Sequence, residues 1–406
     1  MEKEDIKQLN NLYNNLNQKT RERIDKSVLK IVKIKEKGGK VTVVMGSGPN
    51  IHEGVTTLIS ELIRFSIVDA VITSSAVIAH EMAGSLDKVK RVNGLELGLD
   101  ENILPRGHTF EITIMNSETL DMIKKEMVID EKLIKKGLEL PGNVIIKAAG
   151  NMGYPMGLRT EKLAQEIEIY SKTYGKPFEY IAGLGADEHT MIGQGSLKNV
   201  PVVVSTPQLV GGGMVGMSVG DSIPLKERSK IIAEILGESD IIIESALALS
   251  QEIHDGPYET YTGHGIWSAL TGLFTYSLKN KALIRLDLDP NLEKAWEAEK
   301  SSSMVQEAID KGLPKTKQLK VPFRMEMSGF ARLEDSTPII GDIGVIWLII
   351  AQRIADMLKI DLDFISFPQE SKRGKEMREW IVKNVRILDR DEMIRKLHSI
   401  KTGGNK

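Results

Sequence analysis

The sequence predicts an α/β fold, doubly wound around a mostly parallel sheet, and three observations predict it. Residues 41–45, 67–72, 201–205 and 241–243 are runs dominated by Val and Ile, as strands buried on both faces require. Helix-length amphipathic stretches separate them. Two of the runs end in small-residue turns that open a helix: Met45 leads into Gly46-Ser47-Gly48-Pro49-Asn50, and Ile72 into Thr73-Ser74-Ser75-Ala76.

Along the chain, residues 1–36 read as an N-terminal helical arm, with Ile6, Leu9, Leu12 and Tyr13 at helical spacing, suited to the surface or an oligomer contact. Gly38-Gly39 closes it, and a βαβ rhythm starts at Lys40. Residues 84–142 interrupt the rhythm with Gly94, Gly98, Pro105, Gly107 and a helical run from Glu118 to Lys136, an insertion of the kind that carries substrate-facing loops. The rhythm resumes with a strand at 144–147, a helix at 158–174, the strand at 201–205, a Gly211-Gly212-Gly213 loop and a helix at 226–236. Strands at 241–244 and 282–287 follow. Beyond residue 300 the pattern gives a helix at 343–358, a strand at 363–367 and a helix at 372–385, read as an α/β extension (301–406) packing on the same sheet.

Composition narrows the function. The 406 residues hold 54 basic and 56 acidic side chains, so the basic excess of a nucleic-acid binder is missing. Cysteine is absent, which excludes disulfides, thiolate nucleophiles and cysteine-held metals. The start, Met1-Glu2-Lys3-Glu4-Asp5, is charged, and the apolar runs are too short to span a bilayer. The expectation is a cytoplasmic protein with no membrane partner and no metal.

Five constellations can carry chemistry. Gly46 to Gly54 begins like a dinucleotide fingerprint, but Ile51 stands where the third glycine belongs, and the second strand lacks a terminal acid. Its alternatives are a phosphate contact or a tight turn. Thr73, Ser74, Ser75 and Ala76 offer hydroxyls to cap a helix starting near Ala76, or to bind an anion. His80 and Glu81 follow one turn later and suit proton transfer. Asp287, ending a strand, can accept two ribose hydroxyls, whereas Asp289 before Pro290 suits helix capping. Residues 251–265 gather Glu252, His254, Asp255, Tyr258, Tyr261 and His264, either a substrate loop or a solvated one. Residues 205–213 form a glycine-rich turn for close approach of a ligand or subunit.

At these residues the chain resembles the NAD-binding fold of deoxyhypusine synthase, and more closely the lysine-oxoglutarate reductase/saccharopine dehydrogenase-like C-terminal domain of archaeal ornithine cyclodeaminases. The resemblance covers roughly 38–292 and rests on Gly48-Pro49 with His52, Val68-Asp69-Ala70, Ala76 with His80-Glu81, Val200-Pro201-Val202 and Asp287-Leu288-Asp289-Pro290. It implies that Gly46, Ser47, Gly48, Pro49, Asn50, Thr73, Ser74, Ser75, Ala76 and Asp287 hold NAD, within an NAD-binding domain of residues 37–300. It implies a homo-oligomer, dimer or tetramer. The lysine that deoxyhypusine synthase uses for its imine is missing from Gly265 to Leu270.

The reading that follows is an NAD-dependent enzyme acting on a small amine or amino acid through a transient imine. His80, Glu81, Glu252, Asp255 and His264 are its proton-transfer and amine-binding candidates. The alternatives are an aminobutyl-type transferase and a non-catalytic nucleotide-binding regulator.

Overall fold

The computed structural model describes residues 3–150, 152–206, 213–245, 256, 258–260, 265–301, 303–313 and 330–403. Six parallel strands form the main sheet: β1 (Val41–Met45), β2 (Ala70–Ser74), β6 (Val202–Thr206), β7 (Ile241–Ser245), β8 (Ala282–Asp287) and β9 (Ser336–Ile340). Their spatial order is β6-β2-β1-β7-β8-β9. Counting only the parallel strands along the chain, this is 3-2-1-4-5-6, the doubly wound order whose direction reverses beside the first strand.

Alternating side chains bury in two separate layers, which is why the strand runs are apolar throughout. Val41, Val43, Met45, Val71, Val204, Ile241, Ile243 and Ile284 join one cluster with helices Gln18–Glu36, Val55–Arg64 and Ile343–Leu358. Val44, Ile72, Val203, Ile242 and Leu283 join the other, under helices Leu225–Glu238 and Pro290–Ser301. Burying each large side chain contributes about 1.5–3 kcal/mol.

The segment expected as a helical arm forms two helices, Lys3–Asn15 and Gln18–Glu36. Asn17 caps the second by accepting from Thr20 N–H at 2.8 Å. That helix buries Ile24, Val28, Ile31 and Val32 and packs against β9 and helix Ile343–Leu358, so it belongs to the core layer.

The insertion builds a second sheet. β3 (Leu86–Asn93), β4 (Thr109–Thr113) and β5 (Asn143–Ala148) pair antiparallel in the order β4-β3-β5. This corrects the expectation for Val144 to Lys147, which do not continue the parallel rhythm. Its strand is exposed at Asn143 and Val144 and half-buried from Ile145 to Ala148, and hydrophobicity alone does not choose a partner sheet. The helix expected from Glu118 to Lys136 is two, Ser117–Glu126 and Glu131–Glu139. Asp130 caps the second by accepting from Leu133 N–H at 3.0 Å.

The C-terminal strand is also corrected. Residues 363–367 pair in no described ladder, and the sixth parallel strand is β9. β9 includes Pro338 and sits at the sheet edge, where a missing N–H leaves no ladder bond broken. The last described helix runs Arg390–Gly403, and residues 404–406 lie outside the described residues.

Candidate functional site

The strand order reverses between β1 and β7, and in open parallel sheets such a point leaves a crevice beyond the strand C-termini. Gly46 and Gly48 sit there, directly after β1. A Cβ built on either glycine meets no described atom within 4 Å, so the turn has open space above it. Gly48 has φ of +66°, a conformation that side chains with a Cβ resist.

Asn50 closes the base of the crevice. Its Nδ2 donates to the carbonyls of Gly46 at 3.0 Å and Ser245 at 3.2 Å. Its Oδ1 accepts from Ser245 Oγ at 2.7 Å, and Trp347 Nε1 donates to that same hydroxyl at 2.9 Å. Asn50 is fully buried with both amide hydrogens used, so it holds the turn in place.

The second turn lies beside the first. Thr73 Oγ1 donates to the Met45 carbonyl at 2.9 Å, tying the end of β2 to the end of β1. The following helix is Ser75–Met82, one residue earlier than expected, with Ser74 as its N-cap residue. The Ser74 side chain makes no capping bond, and its hydroxyl is buried without a hydrogen-bond partner among the described residues. A buried hydroxyl in that state costs stability unless a ligand or water completes it.

On the far half of the crevice one sheet face turns from apolar to charged. Ile242 and Leu283 belong to the apolar layer; two residues further along the same face stand Glu244 and Arg285, cross-strand partners in the register. Asp287 follows on that face. Arg285 is fully buried, with Nη1 3.6 Å from Glu244 Oε2 and Nε 3.7 Å from Asp287 Oδ2. These are ion pairs beyond hydrogen-bond length, and the guanidinium nitrogens make no hydrogen bond among the described residues. Asp287 Oδ1 accepts from Asp289 N–H at 3.0 Å, while Oδ2 is buried with no hydrogen bond among the described residues. Asp289 in turn accepts from Asn291 N–H at 2.9 Å, at the start of helix Pro290–Ser301. Sequence reasoning passed over Glu244 and Arg285. Their signal was there, ionisable residues inside otherwise apolar strand runs.

His80 and Glu81 sit on neighbouring positions with different surroundings. His80 Nδ1 bonds to the Ala149 carbonyl, at the end of β5. Burial holds its pKa below the usual histidine value, so the ring is neutral at neutral pH. Both Glu81 oxygens accept backbone N–H groups, from Met191 at 2.8 Å and Ile192 at 3.1 Å, at the start of helix Met191–Lys198. Glu81 is fully buried, and desolvation pushes its pKa up to about 7 despite those two bonds.

His80 thus ties the helix that follows β2 to the end of β5. Arg378 Nη2 donates to the Ile146 carbonyl, and Lys147 Nζ bonds Glu111 Oε2 at 2.9 Å. Glu53, just after His52, is buried and accepts from Gln369 N–H at 2.6 Å, with its pKa raised to about 7 by burial. Asp87 is raised likewise to about 7.

Glu252, Asp255 and His264 lie outside the described residues, as do Gly211 and Gly212. Among the described residues no group of three His, Cys, Asp or Glu is arranged to hold a metal ion. No described helix is long and apolar enough to cross a membrane.

No protein-family model matches the chain, and no curated protein sequence matches it. Among solved structures, it is similar to AgrE in a ternary complex with ornithine and NAD+, at 14% identity and TM-score 0.42, over 85% of this chain and 34% of that one. ArgZ, an arginine dihydrolase from the ornithine–ammonia cycle in cyanobacteria, aligns at 12% identity and TM-score 0.37, over 82% and 31%. A conserved LOR/SDH protein from Methanococcus maripaludis S2 aligns at 10% identity and TM-score 0.38, over 85% and 70%. The chain therefore spans about a third of the length of AgrE and ArgZ, and likeness this loose assigns no activity.

Proposed function

We propose that the crevice at the C-terminal edge of the parallel sheet holds NAD, and that the chain is an NAD-dependent enzyme acting on a small amine or amino acid. The fold we assign is of the deoxyhypusine synthase-like NAD-binding type. One observation carries the reading: the strand order reverses beside β1, under a turn whose two glycines have open space where a Cβ would lie. Bare backbone at such a point is what a dinucleotide diphosphate needs for close approach.

The donor set fits that group. Gly46, Ser47 and Gly48 would face its diphosphate. Ser74, whose buried hydroxyl lacks a partner among the described residues, would contribute from the second turn. Asp287, with one buried oxygen that makes no hydrogen bond among the described residues, would hold the ribose hydroxyls. NAD bound there would supply a hydride acceptor for oxidation of the carbon bearing the amine, the substrate nitrogen giving up an N–H proton as the C=N bond forms.

The chain's own residues then manage protons. With Nδ1–H donating to Ala149 O, the neutral His80 keeps Nε2 as a base. Glu81, with both oxygens committed to backbone N–H groups, anchors the helix beneath His80. Glu252, Asp255 and His264 are assigned to binding the substrate ammonium.

The test is thermal unfolding of the purified protein with NAD and with NADP. Stabilisation of the folded state by bound cofactor raises the midpoint in proportion to the logarithm of concentration. No shift at millimolar concentration of either removes the cofactor assignment. If NAD binds, ornithine, lysine, agmatine and spermidine are screened for ammonia release and NADH absorbance; silence in every case would leave nucleotide binding without catalysis.

A further inference from the structure

A cavity of about 550 Å3 lies between helix Lys3–Asn15, the segment 362–367 and helix Lys372–Asn384. That volume lies within the range of small-molecule sites. None of its lining residues belongs to the crevice described above.

Three aromatic rings, Phe364, Phe367 and Trp380, line it. Phe364 and Phe367 are buried, and Trp380 is 36% exposed. The Trp380 ring is fixed on two sides. It packs on Phe364 with centroids 5.3 Å apart and meets His189 edge-on, also at 5.3 Å.

The charged lining consists of Asp5, Asp363, Glu376 and Arg373. Arg373 is the one cation among the described lining residues, and carboxylates already hold it. Its Nε and Nη2 reach the two Asp5 oxygens at 2.7 and 2.9 Å, and Nη1 reaches Glu376 at 3.1 Å. A guanidinium bonded through Nη2 to one carboxylate and through Nη1 to a second, with Nε 2.7 Å from the first as an ion pair, has little left for an incoming anion. What the wall still offers is acceptor oxygen and aromatic surface. Arg64 and Lys372 approach Asp363 and Glu376 at 2.6 and 3.9 Å. Lys372 and Asp363 are exposed and Arg64 is half-buried, so these pairs lie at the solvent edge and contribute little.

A wall of carboxylates and ring faces attracts a cation, most strongly over an indole. We infer that this cavity is a binding site for a small organic cation, an ammonium or guanidinium carried on an aliphatic stem. The stem lies along the apolar walls and the charge sits between Trp380 and the Asp363 and Glu376 carboxylates. The site is separate from the crevice and stands whether or not NAD binds there.

The experiment is calorimetric titration of the whole chain with 1,5-diaminopentane, without nucleotide, alongside tryptophan emission. Pentanoate is the anionic control. The variants are Asp363→Asn with Glu376→Gln, which leave the Arg373–Asp5 pair intact, and Trp380→Phe. Saturable binding of the diamine is expected, with pentanoate silent. The double carboxamide variant should bind about tenfold or more weakly, the loss of roughly 1.4 kcal/mol. The emission change should vanish in Trp380→Phe. No saturable heat up to about 10 mM, near the weakest affinity that marks a site, would overturn the inference. So would equal binding of pentanoate, or unchanged diamine affinity in the double variant.

Discussion

Ser245, the last residue of β7, donates its hydroxyl to Asn50 Oδ1 at 2.7 Å, and Asn50 Nδ2 donates back to the Ser245 carbonyl at 3.2 Å. The pair joins the strands on either side of the order reversal to the turn above them. Asn50→Ala strands the Gly46 and Ser245 carbonyls in a buried place. The expected cost is about 2–3 kcal/mol, read as a lower urea midpoint at unchanged slope. Trp347, bonded to the same Ser245 hydroxyl, should report it through its near-ultraviolet signal. An unchanged midpoint would show that the network is not holding the turn.

The two glycines of the turn separate folding from binding. Gly46 has open space at its Cβ position and no positive φ. Gly46→Ala should therefore leave stability within about 0.5 kcal/mol of the parent, while weakening NAD about tenfold or more by occupying the ligand's approach. Gly48→Ala, at φ of +66° and ψ of −123°, should also cost about 1–3 kcal/mol of stability. Unchanged NAD affinity in Gly46→Ala would place the diphosphate elsewhere.

Arg285 balances two carboxylates in a dry place. Arg285→Met leaves Glu244 and Asp287 facing each other's charge without the guanidinium between them, and should cost about 3–5 kcal/mol at neutral pH. Denaturant titration at neutral pH reads this directly, and a loss below about 1 kcal/mol would show that the guanidinium does not hold the two carboxylates together.

Glu53 gives a signed pH dependence. Burial raises its folded pKa from 4.5 to about 7. Its contribution is fully present below the unfolded value and is lost as pH rises through the folded one. Glu53→Gln keeps an acceptor for Gln369 N–H and removes the titration. The variant should gain on the parent between pH 4.5 and 7, by on the order of 2–3 kcal/mol at the upper end. A difference curve flat across that window would show that Glu53 is ionised at no cost in the fold.

The parallel core was legible because a strand covered on both faces must be apolar at every position, and the Val and Ile runs of β1, β2, β6 and β7 say so directly. The glycine turn was legible for a similar local reason, since few residues tolerate such a bend. β9 was not. Its Ser336-Thr337-Pro338 start reads as a loop, and only an edge position makes that composition suitable for a strand. Residues 363–367 failed in the opposite sense: apolar enough for a strand, they instead bury Phe364 and Phe367 beside the cavity.

The site divides along the same line. Which residue types stand at the strand ends, two glycines, a run of hydroxyls and Asp287, was set in the sequence, because those turns are local. Their pairing was decided by the tertiary structure. Asn50 meets Ser245 across 195 residues, Glu81 caps a helix 110 residues away, and Arg285 finds Glu244 only because β7 and β8 are neighbours in register. Local backbone preferences act over a few residues and leave their mark in the chain. Partners brought together by sheet order depend on the whole topology, and no short stretch of sequence carries that information.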